Sequence, residues 1–266
     1  MNQIDNKILF SVCNIAIAAG KKIMEHYDEF SEVFTKKDSS PLTNADLDSN
    51  TIILEGLNMV NDDIPVLSEE SMIEWKIRKL WKRYWLVDPL DGTKEFIKKN
   101  GEFTVNIALI DNNIPIIGVI YVPAKKIIYF AKKNFGSYKL FVNSNSINLK
   151  SAEILKINNH QDIIKVIGSR SHTNKKFNEW LEKNFKNFKI IQKGSSLKFC
   201  EIAEGNADIY PRFGPTSEWD IAAGHIILKE AGGEIKTFDN KDITYNLKES
   251  LLNPEFIAYS KYKFKI

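Results

Sequence analysis

The sequence predicts an α/β fold in two closely packed lobes, and three observations predict it. Apolar side chains recur at helical spacing near the start, at Ile4, Ile8, Val12, Ile15, Ala16, Ala19 and Ile23. Residues 103–142 read as short strands joined by turn residues, the pattern of a largely antiparallel sheet. From residue 163 onward strands and helices alternate, which argues for a mixed or parallel sheet. The expected division is an N-terminal α+β lobe over residues 1–150 and a C-terminal α/β lobe over residues 151–266. The lobes would meet in the polar stretch 143–160.

The first helix is expected over Ile4–His26, followed by a short strand over Phe30–Thr35 and a mobile loop over Lys36–Leu42. Thr43 or Asn44 caps a second helix whose inner face would carry Leu47, Ile53, Leu54 and Leu57. Ile64–Leu67 reads as a strand ending in Ser68-Glu69-Glu70-Ser71, and residues 71–83 as a helical or irregular excursion. Phe103–Ile110 and Ile116–Val122 form a hairpin about Asp111-Asn112-Asn113, continued by strands at Lys126–Ala131 and Tyr138–Val142. In the second lobe, strands are expected at Ile163–Gly168, Phe188–Gln192, Ala207–Tyr210, Glu234–Phe238 and Glu255–Ser260. Helices fall between them at Asn174–Asn184, Ser195–Glu204 and Trp219–Ala231.

Composition narrows the function classes. With 43% hydrophobic and 27% charged residues among 266, the chain is ordinary for a globular protein with a large core. A net charge of +3 gives no basic face for nucleic acid. Cys13 and Cys200 sit in apolar contexts and read as buried small hydrophobes. The four histidines lack zinc-site spacing. No signal peptide or membrane-length apolar run is visible, so a cytoplasmic enzyme is expected.

Trp85–Phe96 (WLVDPLDGTKEF) is the stretch that the chain is organised around. Apolar residues lead to Asp88, as in a buried strand that delivers an acid at its end. Pro89 is not expected to extend a central ladder, and Asp91-Gly92 is a turn pair. Thr93 is expected to cap a helical turn through Lys94-Glu95-Phe96, with free N–H groups beside the two acids. A metal-bridged phosphate satisfies both groups; a plain structural turn is the alternative for this stretch alone. Glu69 and Asp220, in Ser217-Glu218-Trp219-Asp220, are further acids at element ends, where ligands gather in layered α/β folds. The donors are all hard oxygens, suited to magnesium, manganese or calcium. Considered alone, Asp46 reads as a first-turn charge favourable to the helix dipole.

Taken together, SPLTNADLDSN (40–50), the SEE at 68–70, LVDPLDGTKEFI (86–97), SRSH (169–172) and GSSLKFCEIAEGNADIYPRFGPTSEWDIAAG (194–224) resemble the inositol monophosphatase superfamily. Within it, DPLDGTKEF and GSSLKFC are closest to the 3'(2'),5'-bisphosphate nucleotidase branch. The resemblance spans essentially the whole chain and implies a layered αβαβα sugar-phosphatase-like fold. It implies two or three Mg2+ ions: Glu69, Asp88 and the Leu90 carbonyl on one, Asp88, Asp91 and Asp220 on another. Asp46 and Thr93, with Glu69, would act on the attacking water. Gly92 and Thr93 would offer N–H groups to the phosphate. Ser195, Lys198 and Arg212, with Arg170 and His172 as further candidates, would hold the rest of a bisphosphate nucleotide. From the residues alone, Lys198 reads as a solvated helix lysine, Arg212 as a partner for Glu218, and His172 as a helix-entry residue.

The implied reaction is hydrolysis of 3'-phosphoadenosine 5'-phosphate to AMP and phosphate, by a monomer or homodimer with at most peripheral membrane association. An inositol or other sugar-phosphate phosphatase is the enzymatic rival. A catalytically silent binding protein on the same fold is the rival from another class.

Overall fold

The computed structural model describes residues 3–28, 33–35, 41–142, 151–157, 163–169 and 175–264. Helix α1 (Gln3–Asp28) leads to a small antiparallel pair, β1 (Val33–Thr35) and β2 (Pro41–Thr43). Pro41 and Leu42 therefore belong to a strand and not to the expected loop; the rest of that loop, 36–40, lies outside the described residues. Helix α2 (Asn44–Val60) starts after Thr43, whose N–H donates to Asp46 Oδ2 at 2.7 Å. Ile53 and Leu57 of α2 are fully buried, but Leu47 is exposed. It lies one turn from the helix start, where Ala45 and Asp46 take the inward positions instead.

The chain continues through β3 (Val66–Ser68), the short α3 (Trp75–Arg78), β4 (Arg83–Asp91) and α4 (Thr93–Ile97). Then come β5 (Thr104–Asp111), β6 (Ile114–Val122), β7 (Ile127–Lys132), β8 (Gly136–Phe141) and β9 (Glu153–Leu155). Among the described residues, β3 to β9 lie side by side in chain order in one seven-stranded sheet, antiparallel except for β3 beside β4. The β5–β6 turn has positive φ at both Asn112 (48°) and Asn113 (64°), a conformation asparagine tolerates and most residues resist. Because β9 pairs with β8, the first sheet takes its edge strand from beyond the expected division at residue 150.

The second sheet is built from β10 (Ile164–Ser169), α5 (Lys175–Asn184), β11 (Phe188–Lys193), α6 (Leu197–Ala203), β12 (Ile209–Arg212), α7 (Glu218–Glu230), β13 (Gly233–Thr237) and β14 (Phe256–Ser260). Its five strands run in the order β11-β10-β12-β14-β13. The β11-β10-β12 neighbours are parallel and the remaining pairs antiparallel, so the sheet is mixed.

Period-two alternation sorts these strands into layers. Trp85, Val87, Val105, Ile107 and Val119 face α1 and α2, packing with Leu9, Ile23 and Ile53. Tyr84, Leu86, Ala108, Ile110 and Ile120 face the other way, onto α6, α7 and one face of the second sheet. The far face of that sheet, with Val166, Ile209 and Ile257, packs on Phe177 and Leu181 of α5. The result is an αβαβα stack with α6 and α7 as the shared middle layer.

The first sheet and α7 approach closely in that stack at Gly118 of β6. A Cβ there would lie 2.6 Å from the Ala223 carbonyl oxygen and press on Ile226. Backbone cannot yield as a side chain can, so Gly118→Ala should cost about 1–3 kcal/mol of stability. Chemical denaturation tests this; an unchanged midpoint would show that β6 and α7 separate freely.

Candidate functional site

The ladder between β4 and β5 breaks where the acids sit. Asp88 pairs with Asn106 and Asp91 with Thr104, with a register shift between them. Pro89 thus lies inside the strand, at the bulge where its missing N–H is tolerated. Leu90 N–H donates to Asp88 Oδ1 at 3.1 Å and the Pro89 carbonyl accepts from Ser49 Oγ at 2.7 Å, so the bulged backbone is satisfied. The N-cap of α4 is Gly92, at φ 95°, and not Thr93. That left-handed turn frees the Thr93 hydroxyl, which donates to Asp46 Oδ1 at 3.1 Å. Oδ2 of Asp46 also accepts from Thr43 Oγ1 at 2.6 Å, so this carboxylate joins the start of α2 to the start of α4.

Asp91 is held from both lobes. Its Oδ2 accepts from Ser196 N–H at 2.6 Å and from Asn106 Nδ2 at 3.3 Å. Ser196 Oγ in turn donates to Asn106 Oδ1 at 2.8 Å. Ser195, expected inside a helix, stands before α6 in the left-handed region at φ 44°. The turn aims Ser196 N–H at Asp91, and it delays the helix to Leu197. Asp220 lies in the first turn of α7, where its Oδ2 accepts from Ser217 N–H at 2.8 Å.

These elements enclose one cleft of about 290 Å³, lined among others by Glu69, Asp88, Leu90, Asp91, Gly92, Thr93, Ser195, Lys198, Arg212 and Asp220. Arg170 and His172 lie outside the described residues. Lys198 is buried, contrary to its reading as a solvated lysine, with its ammonium 5.6 Å from the Tyr210 ring centre. Arg212 does not bond Glu218. Its guanidinium donates to the Gly214 and Pro215 carbonyls at 3.1 and 2.8 Å, while Glu218 accepts from Asn246 N–H. His225 is buried against the Tyr245 hydroxyl at 2.9 Å.

Burial makes Asp88, Asp91 and Asp220 hard to ionise, and neighbouring acids add to it. Burial, then Glu69, Asp91, Asp220 and Asp46, pushes Asp88 well above the usual carboxylate range. Burial also lifts Asp91 to about 6, even though Lys198, Asn106 and Ser196 favour its charged form. Asp220 is pushed up to about 8 by burial and then by Asp91. Burial lowers Lys198 to about 8 against the attraction of Asp91.

The cleft wall carries five acids (Glu69, Asp88, Asp91, Glu95, Asp220) and three cations (Lys94, Lys198, Arg212). A phosphate would add further negative charge. Among the described residues no three His, Cys, Asp or Glu side chains are gathered into a closed chelating group. The fit of a cation rests instead on this acid excess and on its oxygen-only donors, which suit a hard divalent ion that keeps water and phosphate as partners.

Sequence reasoning missed Ser196, Asn106 and Ser49, which hold Asp91 and the bulge. Asn106 had a visible signal, a polar residue inside the apolar run of β5. Ser196 had none, since its role belongs to its backbone N–H.

The fold and cleft are those of a sugar-phosphatase-like enzyme class, and residues 5–263 match the inositol monophosphatase family, to which the chain belongs. The relatives narrow this further. The 3'(2'),5'-bisphosphate nucleotidase CysQ of Salmonella typhimurium is 46% identical over 94% of this chain and 98% of its own. Its counterpart in Escherichia coli K12 is 44% identical with the same coverage. The crystal structure of CysQ from Bacteroides thetaiotaomicron superposes with a TM-score of 0.85 at 42% identity, covering 94% of this chain and 96% of that one. An IMPase of Thermotoga maritima, at 23% identity and a TM-score of 0.74, shares the fold.

The raised Asp220 has a consequence for stability. Its folded value, about 8, exceeds an unfolded carboxylate value of about 4, so the folded chain holds the proton more tightly. That contribution is present in full below about pH 4 and is lost as pH rises through about 8. Asp220→Asn removes the loss and keeps an acceptor for Ser217. In chelator, the Tm of the variant relative to the parent should therefore rise between about pH 5 and about pH 8. A difference that stays flat or falls would contradict the assignment.

Proposed function

We propose that the chain is a Mg2+-dependent 3'(2'),5'-bisphosphate nucleotidase that converts 3'-phosphoadenosine 5'-phosphate to AMP and phosphate. The observation that carries this reading is the presence, in one cleft, of an acid excess together with Lys198 and Arg212. Near full-length similarity to relatives named as nucleotidases supports the substrate.

In this reading Glu69, Asp88 and the Leu90 carbonyl hold one magnesium, and Asp88, Asp91 and Asp220 another. When bound, the ions neutralise the phosphate, acidify the attacking water and stabilise the departing oxygen. The protein orients the reactants. The Thr93 hydroxyl gives its single proton to Asp46, so its lone pairs face the cleft as an acceptor. A water proton can pass to Thr93 Oγ1 while the Thr93 proton moves to Asp46. The water oxygen then attacks phosphorus, the bond from phosphorus to the 3'-oxygen breaks, the 3'-oxygen leaves with the bonding pair and takes a proton from solvent water to become the hydroxyl of AMP, and no phospho-enzyme forms. Gly92 and Thr93 N–H groups, at the start of α4, cradle the scissile phosphate. Ser195, Lys198 and Arg212 hold the 5'-phosphate, which stays on the product.

We place the enzyme in the cytoplasm; no helix among the described residues is long and apolar enough to cross a membrane.

Thr93→Ala removes the proton relay and should lower kcat with little change in KM. An unaltered kcat would remove Thr93 from the reaction. The substrate assignment is tested by phosphate release from 3'-phosphoadenosine 5'-phosphate, 3'-AMP and inositol 1-phosphate. Magnesium should support it, and chelator should abolish it. The bisphosphate should be the preferred substrate. Losing a charged partner costs about 1.5–3 kcal/mol, so Lys198→Ala should reduce kcat/KM for the bisphosphate roughly 10- to 100-fold, and for 3'-AMP far less. Equal losses would put Lys198 at the reacting phosphate instead.

A further inference from the structure

Asp220 reaches the cleft from the first turn of α7, so its place depends on what holds that turn. Glu218, the first residue of α7, lies two positions before Asp220 and so about 200° around the helix from it. Both oxygens of the buried Glu218 carboxylate accept from Asn246 N–H, at 3.0 and 2.9 Å. Asn246 is itself buried and left-handed, at φ 55°. Its side chain locks reciprocally onto Arg78, the last residue of α3. Arg78 Nη1 donates to Asn246 Oδ1 at 2.6 Å, and Asn246 Nδ2 donates to the Arg78 carbonyl at 2.6 Å. The same buried guanidinium also donates to the Lys248 carbonyl at 3.3 Å and to the Glu249 carbonyl.

The segment that Arg78 gathers then closes on the start of α7. Glu218 N–H donates to the Leu251 carbonyl at 2.9 Å, and Asn253 Nδ2 donates to the Ser217 carbonyl at 2.7 Å. Ser217 is the residue whose N–H donates to Asp220 Oδ2. Arginine suits such an anchor because its planar fork fixes several acceptors at once. Magnesium demands near-ideal octahedral geometry, whereas calcium accepts a looser one, so a displaced Asp220 would cost magnesium more. We infer that Arg78 and Asn246 are positioning residues for Asp220, which lock the first turn of α7 through Glu218 and so set the preference of the cleft for magnesium over calcium. The inference rests on the reading of Asp220 as a magnesium ligand.

The test measures magnesium and calcium binding to the full chain by calorimetry, below the Tm that each variant shows in chelator. Asn246→Gly retains the left-handed backbone and the N–H that Glu218 accepts, and removes only the link to Arg78. Arg78→Met removes the anchor, and Arg78→Lys keeps its charge without the fork. From the usual cost of losing a partner behind a metal ligand, Asn246→Gly and Arg78→Met should each weaken magnesium binding roughly 10- to 100-fold, and calcium binding less. Arg78→Lys should fall between the parent and Arg78→Met. Combining Asn246→Gly with Arg78→Met should cost little more than either alone, since both cut one chain of bonds. Unchanged magnesium affinity in either single variant, or equal losses for the two ions, overturns the inference. A parent chain that binds neither ion overturns the metal reading itself, whereas a parent that binds both, with variants that match it, sinks only the roles of Arg78 and Asn246.

Discussion

The burial of several carboxylates in one cleft is the constraint around which the rest of the structure is arranged. Asp88, Asp91 and Asp220 are drawn from β4 and α7 into one cleft, and each resists ionisation first because burial disfavours charge; neighbouring acids add to this at Asp88 and Asp220, whereas Lys198, Asn106 and Ser196 oppose it at Asp91. Such an arrangement survives only if the surrounding fold over-determines it. The bulge at Pro89, the left-handed turns at Gly92 and Ser195, and the donors Leu90 N–H, Ser196 N–H and Ser217 N–H provide that support.

The layered core explains why the acids can meet. Helices α6 and α7 are packed on by both sheets, with Phe199, Ala222 and Ile226 buried in the cluster that spans them. The starts of α6 and α7 thus lie over the broken end of the β4–β5 ladder. The close approach at Gly118 presses α7 onto the first sheet, and a second close contact, Gly224 against the Phe199 ring, presses α7 onto α6. Because interiors pack densely, small displacements of α7 would carry Asp220 with it.

Chemical roles divide along the same seam. The elements of the first sheet and its helices supply most of the acids and the hydrogen-bonded Asp46–Thr93 pair, to which the proposed reaction gives the handling of water. The elements of the second sheet supply Lys198 and Arg212, two cations of the cleft wall.

Much of this was legible in the sequence because it depends on local pattern. Apolar periodicity located α1, α2 and the strands; the Asn112-Asn113 turn marked the hairpin; and acids at element ends marked the cleft. The resemblance carried by DPLDGTKEF and WDIAAG joined those acids into one site before any contact was visible. What sequence pattern left undecided was every property set by long-range packing. Leu47 matched the helical period but lost its inward place to Ala45 and Asp46. Pro89 broke the ladder without ending the strand, because the Ser49 hydroxyl was there to donate to the bulged carbonyl. Ser195 turned left-handed so that Ser196 could reach Asp91, and Lys198 went from an apparent surface lysine to a buried one. The sequence by itself determined which elements form and which acids end them, since backbone preference and side-chain alternation act over a few residues. Only the tertiary structure decided which charges face one another, because electrostatic neighbours more than 100 positions apart, such as Asp91 and Lys198, are brought together by packing alone.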